Sequence, residues 1–203
     1  RSLLANRSLY AHAHLAGQLG RVIYSLEKQS PMKISGNYGT HLGPLIKVMS
    51  LTTGDVLELG IGYFSTPYLH YQCLLDKRHL VSYESDKGWI KRFATSDFYN
   101  HRYQGEFHEF KFTANWDDAD IEKPWDVVLV DHSPDFRRII ETKRLANFAK
   151  YIVIHDSNES SERKYRDYHY AEIYPLFKYK KVWDKDIRHA TVLSNFENLD
   201  KLW

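Results

Sequence analysis

Short apolar runs recur along the middle of the chain, with stretches of helical spacing between most of them. The runs at 55–59, 79–84, 106–112, 126–131 and 151–155 combine aliphatic and aromatic side chains and predict strands. Helices are expected at 66–76, 87–95 and 136–149. Apolar strands alternating with helices predict a parallel sheet covered on both faces, with right-handed crossovers. Two final strand candidates, 179–183 and 190–195, are separated by only six residues, 184–189. A parallel crossover takes about ten or more, so this pair should be an antiparallel hairpin. Ahead of the sheet, Leu3, Leu4, Leu9, Leu15, Leu19, Val22, Ile23 and Leu26 roughly keep a helical period, and a shorter helix is expected at 42–50. Between them, 35–43 holds three glycines with Tyr38 and His41. It reads either as a lid over a ligand or as a plain linker.

A length of 203 residues suits one α/β domain. Its expected organisation is N-terminal helices and a lid loop over 1–50, then a doubly wound, mostly parallel sheet over 51–203. Hydrophobic residues make up 43%, enough for a sizeable core, and the net charge of +2 does not by itself imply nucleic acid. Arg137, Arg138, Lys143 and Arg144, with Lys178, Lys180, Lys181 and Lys185, could still form a basic face. The single cysteine, Cys73, rules out an intrachain disulfide and fits a reducing compartment such as the cytoplasm. Because residue 1 is Arg, an earlier start or a removed signal stays open. No apolar run approaches the ~18 residues of a membrane span. Cys73 is expected to be buried as a small apolar residue. The late tyrosines, Tyr165, Tyr168, Tyr170, Tyr174 and Tyr179, either line a planar or sugar-like substrate or pack in the core.

The segment Val56-Leu57-Glu58-Leu59-Gly60-Ile61-Gly62 runs a strand into a glycine turn, and a helix is expected to start near Ser65 or Thr66 with Pro67 just inside. Glycines let the backbone turn sharply and approach a ligand closely. The same logic serves nucleotide sites in general. Phe64 and Ser65 stand where a dinucleotide fingerprint would place its third glycine. Glu84 closes the next strand, 22 residues after Gly62, where an acid can accept both ribose hydroxyls. The combination resembles the class I S-adenosylmethionine-dependent methyltransferases. A different nucleotide-binding domain of Rossmann type is the alternative.

That resemblance implies a strand order of 3-2-1-4-5-7-6. It implies that Glu58 helps hold the methionine end of S-adenosylmethionine, often through water. Gly60, Gly62, Tyr63, Ser65 and Thr66 would shape the cofactor loop, with Asp131 nearby, and Glu84 would bind the ribose. In the loop after the third strand, Asn115 would hydrogen-bond the adenine and Trp116 would stack on it or wall it.

Methyl transfer is an in-line displacement that depends on alignment, and it can also require removal of a proton. The groups for it should stand where the fourth and fifth strands end. There lie Asp131-His132-Ser133-Pro134 and His155-Asp156-Ser157-Asn158. Neighbouring strands lie ~4.8 Å apart, so Asp131, His132, His155 and Asp156 can meet around one hydroxyl. The pair resembles metal-dependent O-methyltransferases of the catechol type: Asp131 and Asp156 match the two acids, and Asn158 lies one place beyond the family's Asn. The family's catalytic lysine is absent, since Ser133 and Pro134 follow His132. The His-Asp pair also resembles, over a few residues, sugar methyltransferases of the glucuronoxylan type. Two mechanisms follow. In one, a divalent cation such as Mg²⁺ sits on Asp131, Asp156 and Asn158. In the other, His155 or His132 acts as base beside a carboxylate. The expected acceptor is a small hydroxylated molecule or a sugar. A nucleic-acid or protein acceptor is the alternative, against which stand the near-neutral charge and the lack of an Asn/Asp-Pro-Pro-Tyr-like motif. A third reading is a module that binds the cofactor without catalysis. The polar stretch 159–166 is either a substrate loop or a solvated helix face.

Overall fold

The computed structural model describes residues 36–94, 107–157 and 168–203. Seven strands form one sheet: β1 (Val56–Leu59), β2 (Leu80–Glu84), β3 (His108–Phe112), β4 (Trp125–Val130), β5 (Ala149–His155), β6 (Tyr179–Trp183) and β7 (Ala190–Ser194). Their order is β3-β2-β1-β4-β5-β7-β6. The first five run parallel, and β7 lies antiparallel between β5 and β6. The expected hairpin and the strand order implied by the resemblance are both present.

Among the described residues four α-helices flank the sheet: α1 (Leu42–Met49), α2 (Ser65–Asp76), α3 (Lys87–Ala94) and α4 (Arg138–Leu145). Successive residues of a strand face opposite sides, and here both sides are buried. Val127 and Leu129 of β4 join Leu45, Val48 and Met49 of α1 and Leu69 and Cys73 of α2. Val128 and Val130 join Leu145 of α4 together with Tyr168 and Tyr170. Complete burial of each such aliphatic side chain stabilises by roughly 1.5–3 kcal/mol. Burial also pushes the Cys73 thiol up to about 12, which fits the apolar role expected of it. Among the described residues, no helix is long and apolar enough to cross a membrane.

Local spacing misplaced two features, while α2 starts at Ser65 as expected. The helix expected at 136–149 is a 3-10 turn (Asp135–Arg137) followed by α4, and Ala149 already belongs to β5, where it pairs with Trp125. Sheet pairing extended that strand backwards, which helical periodicity cannot register. The residue before α2 is Phe64, which makes no side-chain cap bond, and Ser65 is the first helical residue. The Thr66 hydroxyl turns inward instead: it accepts from the Gly62 amide at 2.9 Å and donates to Glu58 at 2.8 Å. The basic face does not form around α4, because Arg138 is buried and Arg137 and Arg144 are tied to Asp117, Glu141 and Glu122. Tyr168 and Tyr170 stack at 5.2 Å inside the core, so these two pack rather than line a site. The helix expected near 3–26, Tyr165 and the stretch 159–166 lie outside the described residues.

The sheet order reverses direction between β1 and β4, which opens a crevice at their carboxyl ends. Gly60 ends β1 there with φ of 95°, and a Cβ on it would stand 2.6 Å from the Asp131 carbonyl oxygen. Only glycine allows both that backbone and that approach.

Candidate active site

A cavity of about 410 Å³ occupies this crevice, within the range of small-molecule sites. The ends of β1 and β2 line one side through Ile61, Gly62, Tyr63 and Glu84. The ends of β4 and β5 line the other through Asp131, His132, His155 and Asp156. Tyr38 and His41 close it from the segment before α1, and Arg188 from the β6–β7 hairpin.

On the first side, Glu84 is held from behind. Its Oε2 accepts from the Ile61 amide at 3.0 Å, and its Oε1 from the Ser85 and Asp86 amides at 2.7 and 2.9 Å. Burial raises its pKa against the opposing pull of those amides. The carboxylate is thus fixed at the tip of β2 beside the glycine loop, as its sequence position suggested. The Tyr63 hydroxyl accepts from Arg92, and its ring sits edge-on to Trp89 at 5.0 Å.

Six of the expected cofactor residues do not line this cavity: Glu58, Gly60, Ser65, Thr66, Asn115 and Trp116. Glu58 is fully buried and does not line the cavity: Thr66 donates to one oxygen, and Ser82 to the other at 2.6 Å. Its task here is to brace the glycine loop through Thr66. Ser65 is buried in the same group and also hydrogen-bonds Glu58. Asn115 caps the 3-10 turn Trp116–Asp118 by accepting from the Asp117 amide, and Trp116 is buried with its indole N–H on the Ser133 carbonyl at 2.8 Å. A large ring with a satisfied donor gains more from core burial than from a solvent-facing wall.

On the second side, Asp131 is the hub. Its Oδ1 takes Arg138 Nη2 at 2.9 Å and its Oδ2 takes His155 Nδ1 at 3.0 Å. Burial alone would raise this carboxyl, but His155 and Arg138 outweigh it and hold its pKa well below the usual range. Asp131 therefore stays ionised. The other His155 nitrogen, Nε2, faces the Thr40 hydroxyl at 2.9 Å. His132 instead turns its Nε2 to buried Glu141 at 3.1 Å, and its Nδ1 is buried without a hydrogen-bond partner.

The cation site expected on Asp131, Asp156 and Asn158 does not fit this arrangement. Arg188 Nη1 takes both Asp156 oxygens at 3.1 and 3.2 Å, and Arg138 stands between the two acids, 2.9 Å from Asp131 and 3.9 Å from Asp156. A guanidinium already holds the place between the acids that such an ion would need. Asn158 lies outside the described residues.

His41, Arg138 and Arg188 are the residues that motif reading passed over. His41 is 2% exposed, its ring lies edge-on to His155 at 4.5 Å, and neither ring nitrogen has a hydrogen-bond partner. Burial, with His155 and Arg138 alongside, pushes its pKa down to about 3, so the ring is neutral. The only local sign of it was its place in a glycine-rich loop. Arg138 had the look of a surface helix residue, and Arg188 sits in a turn without any signature.

No protein-family model and no curated protein sequence matches the chain. Solved structures do. SAH-bound methyltransferase PaMTH1 of Podospora anserina superposes with a TM-score of 0.62 at 12% identity, over 98% of this chain and 97% of that one. The O-methyltransferase TomG of Streptomyces achromogenes, involved in tomaymycin synthesis and solved with SAM, gives 0.60 at 14% identity over 88% and 89%. The N-terminal domain of human METTL16 with SAH gives 0.56 at 11% identity over 82% and 73%. The chain thus has the class I methyltransferase fold, with its cavity at the switch point of the sheet. At these identities the likeness is one of fold.

Proposed function

We propose that this chain is an S-adenosylmethionine-dependent methyltransferase acting on a hydroxyl oxygen of a small molecule or sugar. One observation carries the reading: a single cavity joins the Glu84 and Gly62 side of the crevice to the cluster of His41, Asp131 and His155. Structural neighbours solved with SAM or SAH support the cofactor. Glu84 would accept the ribose hydroxyls, and the loop from Gly60 to Gly62 would pass beneath the sulfonium amino acid. The acceptor oxygen would enter from the side of Tyr38 and Arg188. Its lone pair forms the new bond to the methyl carbon as the sulfur–carbon bond breaks. Neutral S-adenosylhomocysteine leaves, and the hydroxyl proton is lost into the imidazole–carboxylate cluster. Holding donor and acceptor in line supplies much of the rate. Asp131, kept ionised by Arg138, fixes the His155 ring through Nδ1.

The test begins with calorimetric titration of SAH into the purified chain, followed by methyl transfer from labelled SAM to panels of phenols, sugars and RNA. Saturable binding and label in a hydroxylated small molecule are expected. An absence of SAM and SAH binding by the folded chain sinks the reading. Label that enters RNA alone replaces the acceptor class.

A further inference from the structure

Three side chains from three separate segments converge on the acceptor side of the cavity: His41 before α1, Asp131 after β4 and His155 at the end of β5. One ligand atom of each lies within 4.8 Å of the others. Asp131 Oδ2 is 3.0 Å from His155 Nδ1 and 3.9 Å from His41 Nδ1. Atoms bound ~2.1 Å from one ion at tetrahedral or octahedral angles stand about 3.0–3.4 Å apart. The His155–Asp131 pair already has that separation, and His41 needs to close on Asp131 by about half an ångström to reach it.

A second observation points to a ligand independently. His41 is buried and lines the cavity, and both of its ring nitrogens lack a hydrogen-bond partner. Buried polar atoms are nearly always satisfied, and an exception of this kind in a ligand cavity calls for a ligand. The outer contacts have the form of a metal centre too. Thr40 holds the far nitrogen of His155 at 2.9 Å, and Arg138 holds the far oxygen of Asp131 at 2.9 Å. Partners of this kind fix the orientation of ligating rings and carboxylates. On this side of the cavity Arg138 and Arg188 are balanced by Asp131 and Asp156, so an added dication would leave that side positive and suited to an electron-rich acceptor oxygen.

We propose that His41, Asp131 and His155 form a three-ligand site for an imidazole-preferring divalent cation, such as Zn²⁺, Fe²⁺ or Co²⁺, open towards the cavity. Two imidazoles and one carboxylate favour such ions over Mg²⁺ and Ca²⁺, which prefer oxygen ligands throughout. The site stands on its own geometry. Its service to methyl transfer rests on the function proposed above, which it deepens: an acceptor oxygen entering the open side would meet a Lewis acid.

The test uses the full chain, stripped with a chelator and titrated with Co²⁺ in the absence of cofactor and acceptor, by calorimetry and by visible absorption. One equivalent should bind, with d–d bands of a mixed nitrogen and oxygen set, and Zn²⁺ should displace it. Millimolar Mg²⁺ should not compete. His41→Ala should weaken Co²⁺ at least about 100-fold and Thr40→Ala about 10-fold, both with unchanged circular dichroism. His41→Gln serves if the alanine variant fails to fold. The proposal is overturned if the wild type shows no saturable Co²⁺ binding, if affinity is unchanged in the folded His41 variants, or if Mg²⁺ competes on equal terms. Since cofactor is absent throughout, failure here leaves methyl transfer standing. Lack of SAH binding with Co²⁺ binding intact would remove only the methyltransferase reading.

Discussion

Glu58→Gln isolates what a buried carboxyl beneath the glycine loop does to stability. Burial raises the Glu58 pKa from 4.5 to about 7, even though Ser82, Ser65 and Thr66 donate hydrogen bonds that oppose the rise. In the unfolded chain the group ionises near its ordinary value. Between pH 4.5 and 7 the folded state therefore holds the extra proton, so stability from this group is full below 4.5 and falls as pH rises towards 7. At 1.36 kcal/mol per unit, the shift amounts to about 3 kcal/mol by pH 8. Glutamine keeps an oxygen to accept from Thr66. Its amide can donate to the Ser82 hydroxyl, which can then donate to His108, 2.9 Å away. The variant should thus mimic the protonated acid. Burial also lowers the pKa of His70 to about 4, and a depressed histidine makes stability rise with pH over the interval from there to 6.5. The raw profile of the wild type mixes these effects with those of other shifted groups such as His41 and Glu84, and the difference between wild type and variant isolates Glu58. Urea denaturation at pH 5, 6, 7 and 8 measures it. The variant should match the wild type near pH 4.5 and exceed it by about 3 kcal/mol at pH 8. A difference independent of pH, or a variant less stable than wild type at pH 8, would refute the reasoning.

Glu84→Ala should weaken SAH by about 10- to 100-fold in calorimetry, the value of charge-assisted hydrogen bonds to a ribose; equal affinities would take the ribose from Glu84. Gly60→Ala forces a Cβ to 2.6 Å from the Asp131 carbonyl oxygen at φ of 95° and should cost more than about 2 kcal/mol in urea unfolding. A variant of wild-type stability contradicts that backbone. Arg138→Met leaves the partly exposed Asp131 without its guanidinium and should lower stability by about 1.5–3 kcal/mol, read from the urea midpoint. His155→Ala should abolish turnover while SAH affinity stays within about threefold, a change under 1 kcal/mol; loss of both together would place His155 in the cofactor site.

The apolar runs and the glycine turn made most of the sheet legible in advance, because a strand buried on both faces leaves a continuous hydrophobic signature. Glu84 was legible for a similar reason: it follows the glycine loop by one strand and stands at its end. Glu58 was located in its strand, but its partner was not, because no spacing reveals that Thr66 and Ser82 converge on it. Trp116 and His132 show the same limit. Each sits in a loop suited to a ligand, and they pack on each other at 4.1 Å.

By itself the sequence determined the alternation of strands and helices, the closing hairpin, the glycine turn and the acids at the strand ends, since these follow from local periodicity and backbone chemistry. Only the tertiary structure decided which charges meet. It set Arg138 between Asp131 and Asp156, brought Arg188 from the hairpin onto Asp156, and left a neutral His41 without a partner beside His155. The physical reason is that these groups come from segments up to about 150 residues apart. Their pairing follows from strand order and burial, which a linear pattern does not carry.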